Sequence, residues 1–370
     1  MFQQTAATFR PGARTLPGVC YTSPAVFAAE EDRLFSRQWH CAGRASGLAS
    51  PGDYMLRTVA GESLIVVRGQ DGELRAFFNV CRHRGTRLCR DEGGQLGSVI
   101  LCPYHGWTYA IDGRLVGAPH MQDVAGFDRA ELSLEPAQTA VSEGFVFVTV
   151  DPSPVPFADA YAPLVERLRR FDLAALGIGH RADYDLRANW KLVFQNYSEC
   201  LHCPVIHPEL ASRIPYESGQ NDLTEGPFLG GYMRIDPAHA SVTVSGRACG
   251  PPIAGRPGGE DAGRAYYYSV MPNLLLGIHP DYVNYYMLTP LGPDRTRVES
   301  EGLFRFGAAP VNPSDAVAFW ETVNRQDWDI VEQSQLGVSS RRYVPGPYSP
   351  RESLAAAWDR HDLALMGGAA

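Results

Sequence analysis

Between Asn196 and Pro208 the chain reads Asn-Tyr-Ser-Glu-Cys-Leu-His-Cys-Pro-Val-Ile-His-Pro, which sets one carboxylate, Glu199, close to two imidazoles, His202 and His207. On a helix Glu199 and His202 lie three apart and share a face, whereas His207, five further on, turns away from His202. Pro204 and Pro208 do not fit a straight helix interior, so a kink at Pro204 is expected to bring both imidazoles to one point. Two neutral imidazoles with open positions beside them suit Fe(II), Zn or Ni, and a carboxylate as third ligand favours an oxygen-activating non-haem iron. The same spacing also fits a capped helix end with two incidental histidines.

Two earlier stretches, Cys81-Arg82-His83-Arg84-Gly85 and Cys102-Pro103-Tyr104-His105-Gly106-Trp107, each offer one thiolate and one imidazole. Such pairs on two β loops bind either a tetrahedral Zn or a [2Fe–2S] centre with histidines on one iron and cysteines on the other; spacing alone does not separate these. A late carboxylate is the remaining candidate ligand. Residues 314–336 read as a long helix with Ser314 as N-cap and Asp315 favourable in the first turn. Its apolar stripe runs through Val317, Trp320 and Val331, and Asn324 and Asp327 fall on that stripe. A carboxylate on a buried face must be neutral, paired or metal-bound, so Asp327 is expected to complete a set with His202 and His207. Pairing with Arg325 or Arg341 is the alternative. Asp329 and Glu332 fall off the stripe.

The first 35 residues form a lead-in, expected to pack on the later part of the chain. From residue 36 the pattern is all-β: Tyr54–Val59, Ser63–Arg68 and Ala76–Val80 read as strands, with hairpin turns at Gln70-Asp71-Gly72-Glu73 and Asp112-Gly113, and Gly144–Val150 closes the region. After Pro152–Pro156 a helix is expected over Ala160–Leu176 with Asp159 as its cap. Residues 211–300 are β-rich, with strands expected at Gly231–Ile235, Ser241–Val244, Tyr266–Val270, Tyr285–Leu288 and Arg297–Ser300. A Gly- and Pro-rich stretch, 249–264, reads as an active-site lid or a surface excursion.

The chain has 370 residues, 45% hydrophobic and 20% charged, as expected for one large or two ordinary domains with a real core. A net charge of −8 argues against a nucleic-acid or anionic-membrane partner. The first 15 residues carry no signal-peptide-like apolar run, and no stretch has membrane-spanning length. Of eight cysteines, Cys41, Cys81, Cys102, Cys200 and Cys203 sit within three residues of a histidine. That pattern reads as metal chemistry rather than a disulfide framework, and a reduced, cytoplasmic protein is expected.

The two Cys/His loops resemble the Rieske signature, and with Asn196–Pro208 the chain resembles the α (terminal oxygenase) subunit of a Rieske non-haem iron oxygenase from about residue 36 to 355. Respiratory-type Rieske proteins carry an extra, disulfide-forming cysteine in each loop; here Thr86 and Tyr104 stand at those places, which favours the oxygenase type. The resemblance implies an α+β fold: an all-β Rieske domain over 36–152 and, over 153–370, a catalytic domain whose antiparallel sheet is packed by helices in a helix-grip, START-like arrangement. It implies a [2Fe–2S] cluster held by Cys81, His83, Cys102 and His105, and Fe(II) held by His202, His207 and Asp327, with O2 as cosubstrate. It implies a homotrimer, or a hexamer built from trimers, in which Glu199 bridges His202 to His105 of the next subunit and carries the electron across.

No NAD or flavin fingerprint is evident, so NAD(P)H is expected to act through a separate flavin- and [2Fe–2S]-containing reductase or a ferredoxin. Many ring-hydroxylating members have Asp at the bridge. Glutamate in Asn-Tyr-x-Glu-Cys-x-His-Cys resembles the quaternary-ammonium branch, which includes choline, carnitine, glycine betaine and stachydrine monooxygenases, and implies oxidative N-demethylation. Tyr266, Tyr268, Tyr286, Trp320 and Phe228 are candidates for an aromatic cage around a methylammonium group, or are ordinary strand and core residues. An aromatic-ring dioxygenase and a Rieske electron-transfer protein without catalysis are the alternatives.

Overall fold

A computed structural model describes residues 1–253, 259–307 and 309–367. The chain forms two compact units: Phe35–Ala162, and Met1–Leu34 together with Pro163–Ala370. The first unit ends ten residues beyond the expected boundary at 152.

In Phe35–Ala162 a seven-stranded antiparallel sheet runs in the order His40–Arg44, Phe145–Thr149, Pro136–Ser142, Leu74–Phe78, Glu62–Arg68, Asp53–Val59, Gly93–Gln95. A second sheet joins Val99–Leu101, Thr108–Ala110 and Leu115–Gly117. The strand Glu62–Arg68 explains the layering. Its residues Leu64, Ile65, Val66 and Val67 are all buried, and successive side chains of a strand point to opposite faces. Ile65 and Val67 join a core that contains Cys81, Cys102, Trp107 and Tyr109. Leu64 and Val66 join a second core with Ala76, Val146 and Val148. One strand thus fixes the floor beneath both Cys/His loops. The expected helix over Ala160–Leu176 is broken into Phe157–Ala160, Ala162–Leu168 and two 3₁₀ turns. Asp159 lies inside the first piece rather than capping it, and Asp172 adopts φ +48° between the turns.

The other unit is built on an eight-stranded antiparallel sheet: Gln3–Gln4, Gln220–Leu223, Phe228–Arg234, Arg264–Val270, Leu274–Ile278, Tyr282–Gly292, Arg295–Phe304, Gly177–Leu186. Ser241–Val244, expected as a strand, is instead a bend, buried at Ser241–Thr243 and exposed at Val244. Its hydroxyls bond elsewhere: Ser241 Oγ donates to Asp281 Oδ1, and Thr243 Oγ1 donates to the Arg247 carbonyl four residues on, a turn-like contact that competes with a strand. The lid expected over 249–264 includes 254–258, which lie outside the described residues.

The long helix spans Ser314–Val338, with Pro313 rather than Ser314 at the cap position. Ala316, Phe319, Val323, Asn324 and Val331 form its buried face. Phe319 and Val323 pack in one core with Ala265 and the partly buried Met233 and Tyr267 of the sheet. Val317 and Trp320, expected on the buried stripe, are only half-buried. Fold class is therefore α+β, with a helix laid across an antiparallel sheet.

The N-terminal segment is held by a buried charge pair. Lys191 Nζ donates to Glu30 Oε1, whose other oxygen accepts from Trp190 Nε1 at 2.9 Å. Both charged side chains are nearly inaccessible. Replacing Lys191 with Met leaves Glu30 buried without its counter-ion, and the expected cost is about 3–5 kcal/mol in urea denaturation. The double replacement Glu30→Gln/Lys191→Met is expected to recover most of that loss.

Candidate active site

The helix Trp190–Tyr197 starts at Asn189, whose Oδ1 accepts the Lys191 N–H. It stops where Ser198 Oγ turns back to the Phe194 carbonyl and meets Ser269 Oγ at 2.9 Å. Glu199 therefore lies beyond the helix, in the loop that leads to His202. The expected kinked helix is in fact two short ones, Cys203–Ile206 and Pro208–Arg213, with Pro204 and Pro208 in their first turns, where a missing N–H costs nothing. His202 precedes the first, and His207 sits at the junction with φ −129° and ψ 67°. That break swings the rings together, with centroids 5.3 Å apart.

The ligand atoms of His202, His207 and Asp327 lie within 4.8 Å of one another. Asp327 Oδ1 is 2.9 Å from His207 Nε2 and 3.4 Å from His202 Nε2. Each imidazole is pinned from behind: His202 Nδ1 is 2.5 Å from Glu199 Oε1, and His207 Nδ1 is 2.7 Å from Gln326 Oε1. Asn196 Nδ2 donates to Asp327 Oδ1 at 3.0 Å. Burial works against an ionised Asp327, but the two imidazoles more than offset it and hold the carboxyl below its usual range. Burial likewise works against a charged His202, but its contacts to Asp327 and Glu199 push its pKa up to about 10. With Nδ1 of both rings engaged, both Nε2 atoms face one carboxylate oxygen, and this donor set fits a divalent cation. Asp329 is exposed and Glu332 pairs with Arg187, as their positions off the stripe imply.

In the other unit the two loops are built alike. Gly85 N–H donates to the Cys81 carbonyl and Gly106 N–H to the Cys102 carbonyl, with both glycines at positive φ, +73° and +70°. Cys81 and Cys102 are buried and free. The His83 and His105 rings lie 4.8 Å apart, and His83 stacks on Trp107. The His83 Nδ1 is buried without a partner, a costly state that a metal bond removes. Tyr109 Oη lies 3.3 Å from Cys81 Sγ and accepts the Arg82 N–H. The donor chemistry fits a [2Fe–2S] centre.

The expectation of fully reduced cysteines needs correction: Cys200 and Cys203 form a disulfide across the loop that carries His202. The turn that precedes Cys203–Ile206 brings the two residues to a Cα separation of 5.0 Å. The other six cysteines form no disulfide and are buried.

A cavity of about 110 Å³ opens onto His202, His207 and Asp327. Of the expected cage residues only Trp320 lines it. Tyr267 does so in place of Tyr266 and Tyr268, because alternation turns those two to the far face of their strand. There Tyr266 donates to Asp261, and the Tyr268 hydroxyl approaches Asp222. Tyr286 sits behind the lining, donating to Asn324 and packing edge-on to Tyr197, which does line the cavity. Phe228 is buried away from it. Tyr197, Gln326, Asn196 and Arg351 escaped the sequence reading. Gln326 adjoins Asp327 and Tyr197 stands two residues before Glu199, which was their one signal.

Paired thiol and imidazole loops on one unit, and two imidazoles with a carboxylate on the other, are the equipment of an iron enzyme that takes electrons one at a time. Residues 38–128 match the Rieske [2Fe-2S] domain and residues 173–368 the ring hydroxylating alpha subunit (catalytic domain). The carnitine monooxygenase oxygenase subunit of Acinetobacter pittii is 39% identical, covering 90% of this chain and 87% of its own. The glycine betaine monooxygenase oxygenase subunit of Chromohalobacter salexigens is 31% identical, covering 92% and 83%. The crystal structure of the quaternary ammonium Rieske monooxygenase CntA with L-carnitine superposes with a TM-score of 0.79 at 28% identity, over 98% of this chain and 97% of that one. A naphthalene 1,2-dioxygenase from Rhodococcus shares the fold at 22% identity, TM-score 0.75, over 95% and 94%.

The chain belongs to the Rieske non-haem iron oxygenases, as a terminal oxygenase subunit. It is an O2-using oxidoreductase with a Rieske [2Fe–2S] cluster and a mononuclear iron, and it is served by a reductase. The alternative of electron transfer without catalysis is thereby excluded. Among the described residues no helix is long and apolar enough to cross a membrane.

Behind the cavity, His279 is buried with its ring 5.2 Å from Trp320 and 5.9 Å from Tyr267, and it bonds Asn284. Burial lowers its pKa to about 3. The folded state thus refuses a proton that the unfolded chain accepts near pH 6.5, so its contribution is full above that pH and declines as pH falls toward 3. On acidification from pH 7 to pH 5, wild-type stability is expected to fall by about 2 kcal/mol more than that of His279→Gln, read by denaturant titration at each pH.

Proposed function

We propose that His202, His207 and Asp327 hold the mononuclear iron, that Cys81, His83, Cys102 and His105 hold the cluster, and that the enzyme hydroxylates an N-methyl carbon of a small quaternary-ammonium compound. The observation that carries the metal assignment is the convergence of two back-pinned Nε2 atoms on Asp327. When bound, the iron and cluster together activate dioxygen with electrons from the reductase. Gln326 and Glu199 hold the Nδ1 protons of the two histidines, which leaves Nε2 of each free to bind. Tyr197, Tyr267 and Trp320 present aromatic faces to the cavity, and such faces attract a methylammonium cation while excluding water. One oxygen atom enters the methyl group; the other leaves as water with two electrons and two protons. The cationic N-hydroxymethyl product then loses its hydroxyl proton as the C–N bond breaks, releasing formaldehyde and a tertiary amine.

Glu199 is the proposed bridge between subunits of a cytoplasmic homotrimer or trimer-based hexamer. It lies outside the helix, faces His202 with one oxygen and accepts the Leu201 N–H with the other. His105, its proposed partner on the neighbouring copy, is exposed at the tip of its loop. The buried cysteines that form no disulfide support a reducing compartment, with Cys200–Cys203 as a local bridge.

Glu199→Gln is expected to keep about three irons per chain, while single-turnover oxidation of the cluster slows about 10–100-fold. Asp327→Ala is expected to keep the visible absorption and drop to about two irons per chain. Cluster oxidation at the wild-type rate in Glu199→Gln, or undiminished iron in Asp327→Ala, refutes the respective assignment. Product analysis decides the chemistry: formaldehyde marks demethylation, whereas a cis-diol from an aromatic substrate marks ring attack.

A further inference from the structure

Trp320 borders two open spaces. It lines the active-site cavity, and it also lines a second, smaller cavity between the long helix and the sheet, where Tyr184, Asn284 and Asn324 are its neighbours. The second cavity measures about 20 Å³, room for a single water. The indole is only half-buried, so packing alone does not fix the plane of its ring. A hydrogen bond does: Trp320 Nε1 donates to Tyr282 Oη at 2.7 Å. An indole has one donor and no acceptor, so this bond is its whole polar commitment.

Tyr282 opens the strand Tyr282–Gly292 and is 1% exposed. Its ring stacks on His279, with centroids 4.4 Å apart, and on Phe304 at 5.9 Å. Its hydroxyl donates to the Val242 carbonyl. With the phenol proton committed there, the oxygen offers its lone pairs to Trp320. Burial raises the phenol well above its usual pKa, which keeps that proton in place. Val242 is held in turn by the residue before the tyrosine. Asp281, itself buried, accepts the Ser241 hydroxyl with one oxygen and the Cys249 N–H with the other. One carboxylate thus clamps both ends of the bend 241–249, the bend presents the Val242 carbonyl, the carbonyl orients the phenol, and the phenol holds the indole.

We propose that Tyr282 is the positioning residue of the cavity wall: its hydroxyl, oriented by the bend that Asp281 clamps, holds the Trp320 indole in place between the two cavities and so sets how tightly the active site grips the methylammonium end of its substrate, without touching it. What the wall receives rests on the reading of the cavity as a quaternary-ammonium site; what holds the wall does not. Attraction between a cation and an aromatic ring depends on the face presented. Without the hydroxyl the indole N–H is unpaired, and the ring turns to find water. Its face then leaves the active-site cavity.

The test is a cycle of Tyr282→Phe, Trp320→Phe and the double variant, made on the iron-loaded protein. Tyr282→Phe keeps the ring that stacks on His279 and Phe304. The Trp320 share of the fluorescence, taken as the difference between proteins with and without that indole, is titrated with acrylamide. Dissociation constants for tetramethylammonium, choline and N,N,N-trimethylglycine are measured by calorimetry. Tyr282→Phe is expected to open Trp320 to the quencher and to weaken the tightest of the three ligands about tenfold. In the Trp320→Phe background the same change at 282 is expected to alter binding less than about twofold. Equal quenching of Trp320 with and without the hydroxyl, or a loss of affinity just as large when Trp320 is absent, overturns the positioning role. Failure of wild type to bind any of the three ligands overturns the quaternary-ammonium reading and the grip on methylammonium with it, while quenching still decides whether Tyr282 holds Trp320. Should Tyr282→Phe yield no folded protein, Asp281→Asn, which loosens the bend behind an intact phenol, enters the same cycle with the same outcomes expected.

Discussion

An imidazole offers a lone pair to a metal at one nitrogen only when the other nitrogen carries the proton, and something must hold that proton in place. In this chain two acceptors do so from opposite directions. Glu199 comes from the loop after Trp190–Tyr197, and Gln326 from the long helix, one residue before Asp327. Adjacent residues of a helix point about 100° apart, so Gln326 and Asp327 reach the two nitrogens of the same ring, His207. A shift of the helix by one residue would lose both contacts. Its register is fixed along its length: Phe319 and Val323 enter the core, Tyr184 donates to Glu321, Tyr286 to Asn324, and Gln335 accepts the Asn189 N–H. Packing a sheet against a helix is thus what sets which nitrogen of a ring faces the carboxylate.

The iron–sulfur unit solves a different problem. Its ligand loops must stay in shape while one histidine remains exposed. The solution is a strand buried on both faces, Glu62–Arg68, beneath loops whose turns close on themselves through glycine N–H groups. Trp107 stacks against His83 and Tyr109 reaches Cys81, so the first loop is braced by residues that follow the histidine of the second.

The residues that gather at the two candidate metal sites were legible in sequence because cysteine, histidine and buried aspartate rarely cluster without a metal, and the hairpins because Asp-Gly turns announce themselves. The cavity wall was not. Tyr266 and Tyr268 are buried on one side of their strand while Tyr267 is packed on the other, so hydrophobic alternation, the usual guide to which side chain faces where, is missing. The path through His202 and His207 was misread as one kinked helix because proline signals a break without saying whether the chain bends or begins again. Gln326 was illegible for a simpler reason: a neutral amide that positions a ligand looks like any other helix glutamine. Arg351 lies more than a hundred residues from the histidines with which it lines the cavity.

The pair Glu30–Lys191 ties the first segment of the chain to a helix made after the whole iron–sulfur unit. During synthesis, domains generally complete as they emerge, N-terminal first. Here the order is inverted: residues 1–34 belong to the unit whose sheet is made mostly after residue 162, whereas Phe35–Ala162 has its own cores and is contiguous in sequence. The electron carrier is an insertion within the oxygenase, finished and ready to take up its cluster while the enzyme that encloses it in sequence is still being translated.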